Sequence, residues 1–191
     1  MHIRRIENMK NRCLLASSLL MVALAINTLA QSETRYAELP NFHQVNSQLY
    51  RGGQPKPGGM SRVKALGIKT IVNLRGEDAQ TQAEGAEARE LGLSYHSIPL
   101  PEFSGPKEED VQRVLDIINA PENQPVFVHC RRGKDRTGTI IASYRIAHDG
   151  WNSADAKKEA KARGMSWTQI GMKDFIGDFY RRRQKVDGRP Q

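Results

Sequence analysis

Cys130 and Arg136 enclose a run of Arg131-Arg132-Gly133-Lys134-Asp135, and Thr137 follows at once. Four cations crowd one thiol, which favours thiolate over thiol and gives a nucleophile usable near neutral pH. Arg136 closes the run. Its planar guanidinium can take two oxygens of a tetrahedral oxyanion in a fork, which a lysine cannot do. The Thr137 hydroxyl can donate to the sulfur and stabilise it when it departs as an anion. The chemistry this implies is nucleophilic attack on a centre that carries anionic oxygens.

These residues need a scaffold, and the flanking sequence supplies one. Val126-Phe127-Val128 is an apolar, β-branched run, and Ile140, Ile141 and Ile146 follow with helical spacing. The pattern is strand, loop, helix. A loop entering a helix presents unpaired N–H groups and the positive end of the helix dipole, and Gly133 lets the chain curl so that they point inward. A buried structural cysteine would have no use for so much positive charge.

The phrase His129-Cys130-x-x-Gly133-Lys134-Asp135-Arg136-Thr137-Gly138 resembles the phosphate loop of the cysteine-dependent protein tyrosine phosphatase superfamily, in its dual-specificity and atypical bacterial branches. Tyr50-Arg51-x-x-Gln54-Pro55 resembles the entry segment of the same atypical phosphatases. The resemblance implies a three-layer α/β fold with a mostly parallel sheet of four or five strands, Cys130 standing at the C-terminal edge of the central one. It implies hydrolysis of phosphate monoesters through a phosphocysteine, with no cofactor or metal, and substrate contacts from His129, Arg131, Arg132, Gly133, Lys134, Asp135 and Gly138. In this family the loop before the helix that here runs from Glu108 to Asn119 supplies a general acid, usually an aspartate. This chain has none at that place. Glu102, 28 residues before Cys130, is the nearest substitute; Asp110 and Asp135 are the others. Lys134 and Asp135 resemble loops that accept inositol phosphates or phosphoinositides as well as phosphotyrosine. A rhodanese-like sulfurtransferase and a non-catalytic phosphate-binding module are the alternatives.

The rest of the chain frames that site. Arg4, Arg5, Lys10 and Arg12 precede a mostly apolar run from Leu14 to Ile26, and Thr28-Leu29-Ala30 supplies small residues, so residues 1–30 read as a secretory signal peptide. An uncleaved anchor is the lesser reading, because the run is short for a bilayer. Removing the segment lowers the net charge from +8 to +5 and takes away Cys13, leaving Cys130 without a disulfide partner in an oxidising compartment. Moderate positive charge suits an anionic substrate, and basic residues not interleaved with aromatics give no sign of nucleic acid. Residues 31–43 read as an extended lead-in, 44–186 as one phosphatase domain and 187–191 as a tail, the whole a monomer exported from the cytoplasm.

Within the domain, Val45 to Tyr50 reads as one strand, with Arg51 after it most simply solvated or paired and a reach to the substrate side as the lesser reading. Helices are expected over Ser61–Leu66, Ala79–Leu91, Glu108–Asn119, Thr137–His148, Ser153–Lys161 and from a Ser166 cap through Tyr180. Strands are expected over Lys69–Leu74 and Leu93–Leu100. Glu77 and Asp78 read as helix caps. Trp151, Trp167, Phe175, Phe179 and Tyr180 read as core. Arg181-Arg182-Arg183-Gln184-Lys185 reads as a solvated helix end, with weak contact to a membrane surface as the lesser alternative.

Overall fold

The computed structural model describes residues 36–186 and Gly188. Residues 1–30, read above as a signal peptide, and nearly all of the tail 187–191 lie outside the described residues, and everything below belongs to the unit Glu38–Gln191. Five strands, β1 (His43–Asn46), β2 (Leu49–Gly53), β3 (Thr70–Asn73), β4 (Ser94–Ser97) and β5 (Val126–Cys130), form one sheet in the order β1-β2-β5-β3-β4. Only β1 is antiparallel, so β5 is the centre of a mostly parallel sheet and Cys130 ends it.

Alternation along β5 sorts its side chains between two layers. Val126, Val128 and Cys130 join the apolar cluster that holds Ile140, Ile141, Val114 and Phe179. Phe127 and His129 point to the opposite face, where their rings stack 5.3 Å apart. Each large apolar side chain buried in these layers contributes about 1.5–3 kcal/mol. Among the described residues six α-helices cover the sheet: α1 (Gly59–Ala65), α2 (Ala79–Glu90), α3 (Glu108–Asn119), α4 (Asp135–Ala147), α5 (Ser153–Ala162) and α6 (Ile170–Val186).

Helix α4 is buried on nearly every side although it is rich in hydroxyls. The Thr139 and Ser143 hydroxyls donate to the carbonyls of Asp135 and Thr139, both at 3.0 Å, so burial leaves these two satisfied. The helix begins two residues earlier than its sequence pattern suggests, which puts Asp135 and Arg136 in its first turn.

Four other expectations need correction. Val45–Tyr50 is not one strand but most of a hairpin, because the Asn46 side-chain oxygen accepts from Gln48 N at 2.9 Å and folds a turn. Residues 38–43 are not a loose lead-in: Leu39 is buried, and the Pro40 carbonyl accepts from Gly53 N at 2.7 Å. Trp167 is 83% exposed rather than core, because the Ser166 hydroxyl turns back on Thr168 instead of capping a helix, and α6 starts only at Ile170. Arg182 is not simply solvated; it pairs with Glu108 of α3 at 2.6 Å. By contrast, Asp78 caps α2 as read, accepting from Thr81 N at 2.8 Å.

Candidate active site

The loop Arg131–Lys134 joins the end of β5 to the start of α4, with Lys134 as the residue before the first turn. Its carbonyls are held on the outer side. The Arg131 carbonyl accepts from Gln54 N at 3.3 Å, and the Gly133 carbonyl accepts from both Arg51 Nη2 and Asn41 Nδ2 at 2.8 Å. With carbonyls tied outward, successive N–H groups are left for the inner side, the arrangement that binds anions. Gly133 has φ +68, and a Cβ there would come within 2.3 Å of the Gly52 backbone. The loop therefore lies directly on β2, and only glycine fits.

A small cleft of ≈ 60 Å³ opens above this loop, lined by Glu102, Phe103, Cys130, Arg131, Arg132, Asp135, Arg136 and Gln169. Arg136 is nearly buried; its Nη1 donates to the Leu74 carbonyl at 3.4 Å and its Nη2 meets Glu102 Oε1 at 3.3 Å. Glu102 is otherwise open to solvent, so its carboxylate now sits on the guanidinium that an oxyanion would use. The backbone of Glu102 is fixed from the other side, its carbonyl accepting from Gln169 Nε2 at 3.0 Å. Asp135 is more constrained: its Oδ1 accepts from Ser166 N at 2.8 Å. The Thr137 hydroxyl is buried with no partner among the described residues, which leaves its proton free for a neighbouring sulfur. Among the described residues no group of three or more His, Cys, Asp or Glu could hold a metal ion.

The sequence-derived set thus divides. Cys130, Arg131, Arg132, Asp135, Arg136 and Glu102 converge on the cleft, and Gly133 shapes it. His129, Lys134 and Gly138 do not line it. His129 lies beneath the loop, fully buried, with Nε2 3.0 Å from Glu84 Oε1. The Lys134 stem lies along Gly164. Gly138 lets α4 approach Ala160 and Met165, since a Cβ there would stand 3.1 Å from Met165 Cε. Asp110 is in the first turn of α3, facing Arg113, and is not in the cleft. Asn41 and Glu84 were not singled out by the sequence pattern, and Arg51, read there as solvated or paired with a reach to the substrate side as the lesser reading, is instead buried behind the loop on the Gly133 carbonyl.

Glu84 anchors a polar cluster under β3 and β5. Asn73 Nδ2 donates to Glu84 Oε2 at 3.1 Å and to the Tyr95 hydroxyl at 2.8 Å. Burial pushes the Glu84 carboxyl up, but His129, Gln54 and Tyr95 together outweigh it, and its net shift is downward. Removing one partner of such a buried pair costs about 3–5 kcal/mol, so this cluster holds the end of β5 in place.

If Glu102 is the proton donor, Glu102→Gln has a leaving-group signature. Turnover of an alkyl phosphate, whose leaving oxygen needs a proton, should fall about 10²-fold. Turnover of an activated aryl phosphate should change little, and its KM should fall because a competing carboxylate has left Arg136. Steady-state kinetics on the two esters checks this.

A cysteine at the end of the central strand, a loop of inward amides and an arginine in the first helical turn define a cysteine-dependent phosphatase site. The comparisons agree. Residues 26–178 match the family described as "DSP-PTPase phosphatase fused to NAD+ Kinase", and the chain belongs to that phosphatase family. It is 30% identical over 149 residues to the dual specificity protein phosphatase TpbA of Pseudomonas aeruginosa, covering 78% of this chain and 64% of that protein. It is 29% identical over 148 residues to the inositol diphosphatase DSP3 of Arabidopsis thaliana, covering 73% and 70%. The crystal structure of P. aeruginosa TpbA superposes with a TM-score of 0.63 at 25% identity, covering 78% of this chain and 88% of that one. The chain thus spans less than two thirds of the full length of TpbA.

Proposed function

We propose that this protein hydrolyses phosphate monoesters through a covalent phosphocysteine, on phosphotyrosine protein or on an inositol phosphate. The observation that carries the reading is the single cleft into which Cys130, Arg136 and Glu102 converge over a loop whose carbonyls are turned away. The loop amides and Arg136 hold the equatorial oxygens while the sulfur of Cys130 attacks phosphorus. Glu102 gives a proton to the departing oxygen, and water then cleaves the S–P bond, releasing phosphate and the thiolate that Thr137 stabilises. The activities for which the relatives are named, dual-specificity protein phosphatase and inositol diphosphatase, support both substrate classes. An exported location belongs to the same reading and is supported by the basic, then apolar, N-terminus; fusing residues 1–35 to a reporter that is active only outside the cytoplasm tests it.

The decisive experiment offers the full chain an aryl phosphate, a phosphotyrosine peptide and a panel of inositol phosphates, with EDTA present. Phosphate release together with an acid-quenched, phosphate-labelled peptide containing Cys130 is the expected result, and the ratio across the panel names the substrate. Tight binding of vanadate with no release from any ester would leave a binding module instead.

A further inference from the structure

Arg51 is among the largest fully buried side chains of the molecule, only 2% exposed, yet it makes no ion pair among the described residues. Its Nη2 donates to the Gly133 carbonyl at 2.8 Å, while Nε and Nη1 have no partner among those residues. A guanidinium taken out of water without a counter-charge is costly to the fold. The carboxylate that acts on it, Glu159, is already engaged by Arg145 at 3.0 Å. Arg145 and Arg163 add like charge, and burial pulls the Arg51 guanidinium down to about 10. The other group that acts to keep it charged is Cys130.

The placement follows from strand register. Arg51 pairs with Val128 and Gly53 with Cys130, so Arg51 faces the same layer as the cysteine, one strand away. The carbonyl it grips belongs to the residue on which the loop turns, and Asn41, itself at φ +51, grips the same oxygen from the side nearer solvent. A loop carbonyl turned inward would repel a phosphate oxygen; one held outward leaves the amides to it.

We infer that Arg51 is a positioning residue of the phosphate cradle: it holds the Gly133 carbonyl out of the loop and brings a buried positive charge whose counter-charge is the bound phosphate with the thiolate. This rests on the reading of the loop as a phosphate site. Arg136 contacts the oxyanion from the cleft, and Arg51 acts from behind it through the loop backbone. The fold tolerates an unpaired cation at Arg51 because the site is occupied by an anion when it works.

The test uses the full chain as wild type, Arg51→Met, Arg51→Gln and Arg51→Lys. Tungstate affinity is measured by calorimetry, and the melting temperature is read with and without tungstate. The neutral variants should lose about 10- to 100-fold in affinity, the span of one charge-assisted hydrogen bond. Arg51→Lys should recover part of that loss. The ligand-free melting temperature of the neutral variants should stay near the wild-type value, since an unpaired buried charge has been removed, while the stabilisation by tungstate shrinks. A purely structural role would move the ligand-free value instead. Should Arg51→Met not fold, Arg51→Gln carries the comparison. A folded neutral variant within about twofold of wild type in tungstate affinity overturns the inference. Wild type that binds no tungstate overturns the phosphate reading itself.

Discussion

Cys130→Ser is expected to lose at least about 10⁴-fold in kcat, or roughly 5 kcal/mol of transition-state stabilisation. A serine hydroxyl is far from ionised at neutral pH, and His129, its neighbour in sequence, is turned to the opposite layer against Glu84, while the carboxylates of the cleft, Glu102 and Asp135, are engaged by Arg136 and by Ser166 N. The oxyanion cradle does not depend on the sulfur. Its geometry is set by Arg51 and Asn41 on the Gly133 carbonyl and by the Arg136 contacts, so affinity for phosphate should stay within about threefold. Rapid-quench labelling and phosphate titration separate the two quantities. Loss of binding together with turnover would mean that the thiolate is part of the anion site, and undiminished turnover would remove the nucleophile from the mechanism.

That contrast between nucleophile and cradle also explains how much of the site could be read from the chain. The chemistry of Cys130, Arg136 and Thr137 is local: one turn of loop and the start of one helix bring them together, and contiguous residues show it. The parallel sheet was legible for the same reason, since β3, β4 and β5 alternate with helices at simple spacing, and the polar β4 is bracketed by the buried Leu93 and Ile98. The support was not legible. Arg51 and Asn41 lie 82 and 92 residues from Gly133 and reach it only because β2 inserts beside β5. Glu84 sits in a helix whose outward face is polar, and nothing in its spacing shows that it turns in toward His129. Trp167 misled for the opposite reason: an aromatic in an amphipathic stretch reads as core, but the Ser166 turn leaves it outside. Phe103 is exposed as well, but it lines the cleft beside Arg131 and Arg132.

Arg136→Lys should lower kcat on the aryl phosphate by about 10²–10³-fold, the scale of losing one preorganised oxyanion donor. The native guanidinium serves two directions at once. Nη1 is held by the Leu74 carbonyl at 3.4 Å, while Nη2 faces the cleft and rests on Glu102. A lysine ammonium keeps the charge but is a single point. If it stays with the Leu74 carbonyl it leaves the phosphoryl oxygens, and if it enters the cleft it leaves that carbonyl with Leu100 N, at 3.2 Å, as its one remaining donor. Because the fork fits oxygens that spread apart as phosphorus is attacked, the loss should fall more on kcat than on KM. The Glu102 contact gives a second reading of the same event. In wild type, oxyanion binding must displace that carboxylate from Arg136, so tungstate should free Glu102; in Arg136→Lys the displacement is weaker. Combining Glu102→Gln with Arg136→Lys tests this directly. If the two side chains compete for one position, the KM gain from Glu102→Gln should shrink in the double variant, a coupling of about 0.5–3 kcal/mol. Full additivity would show that Glu102 and the phosphate occupy separate faces of Arg136.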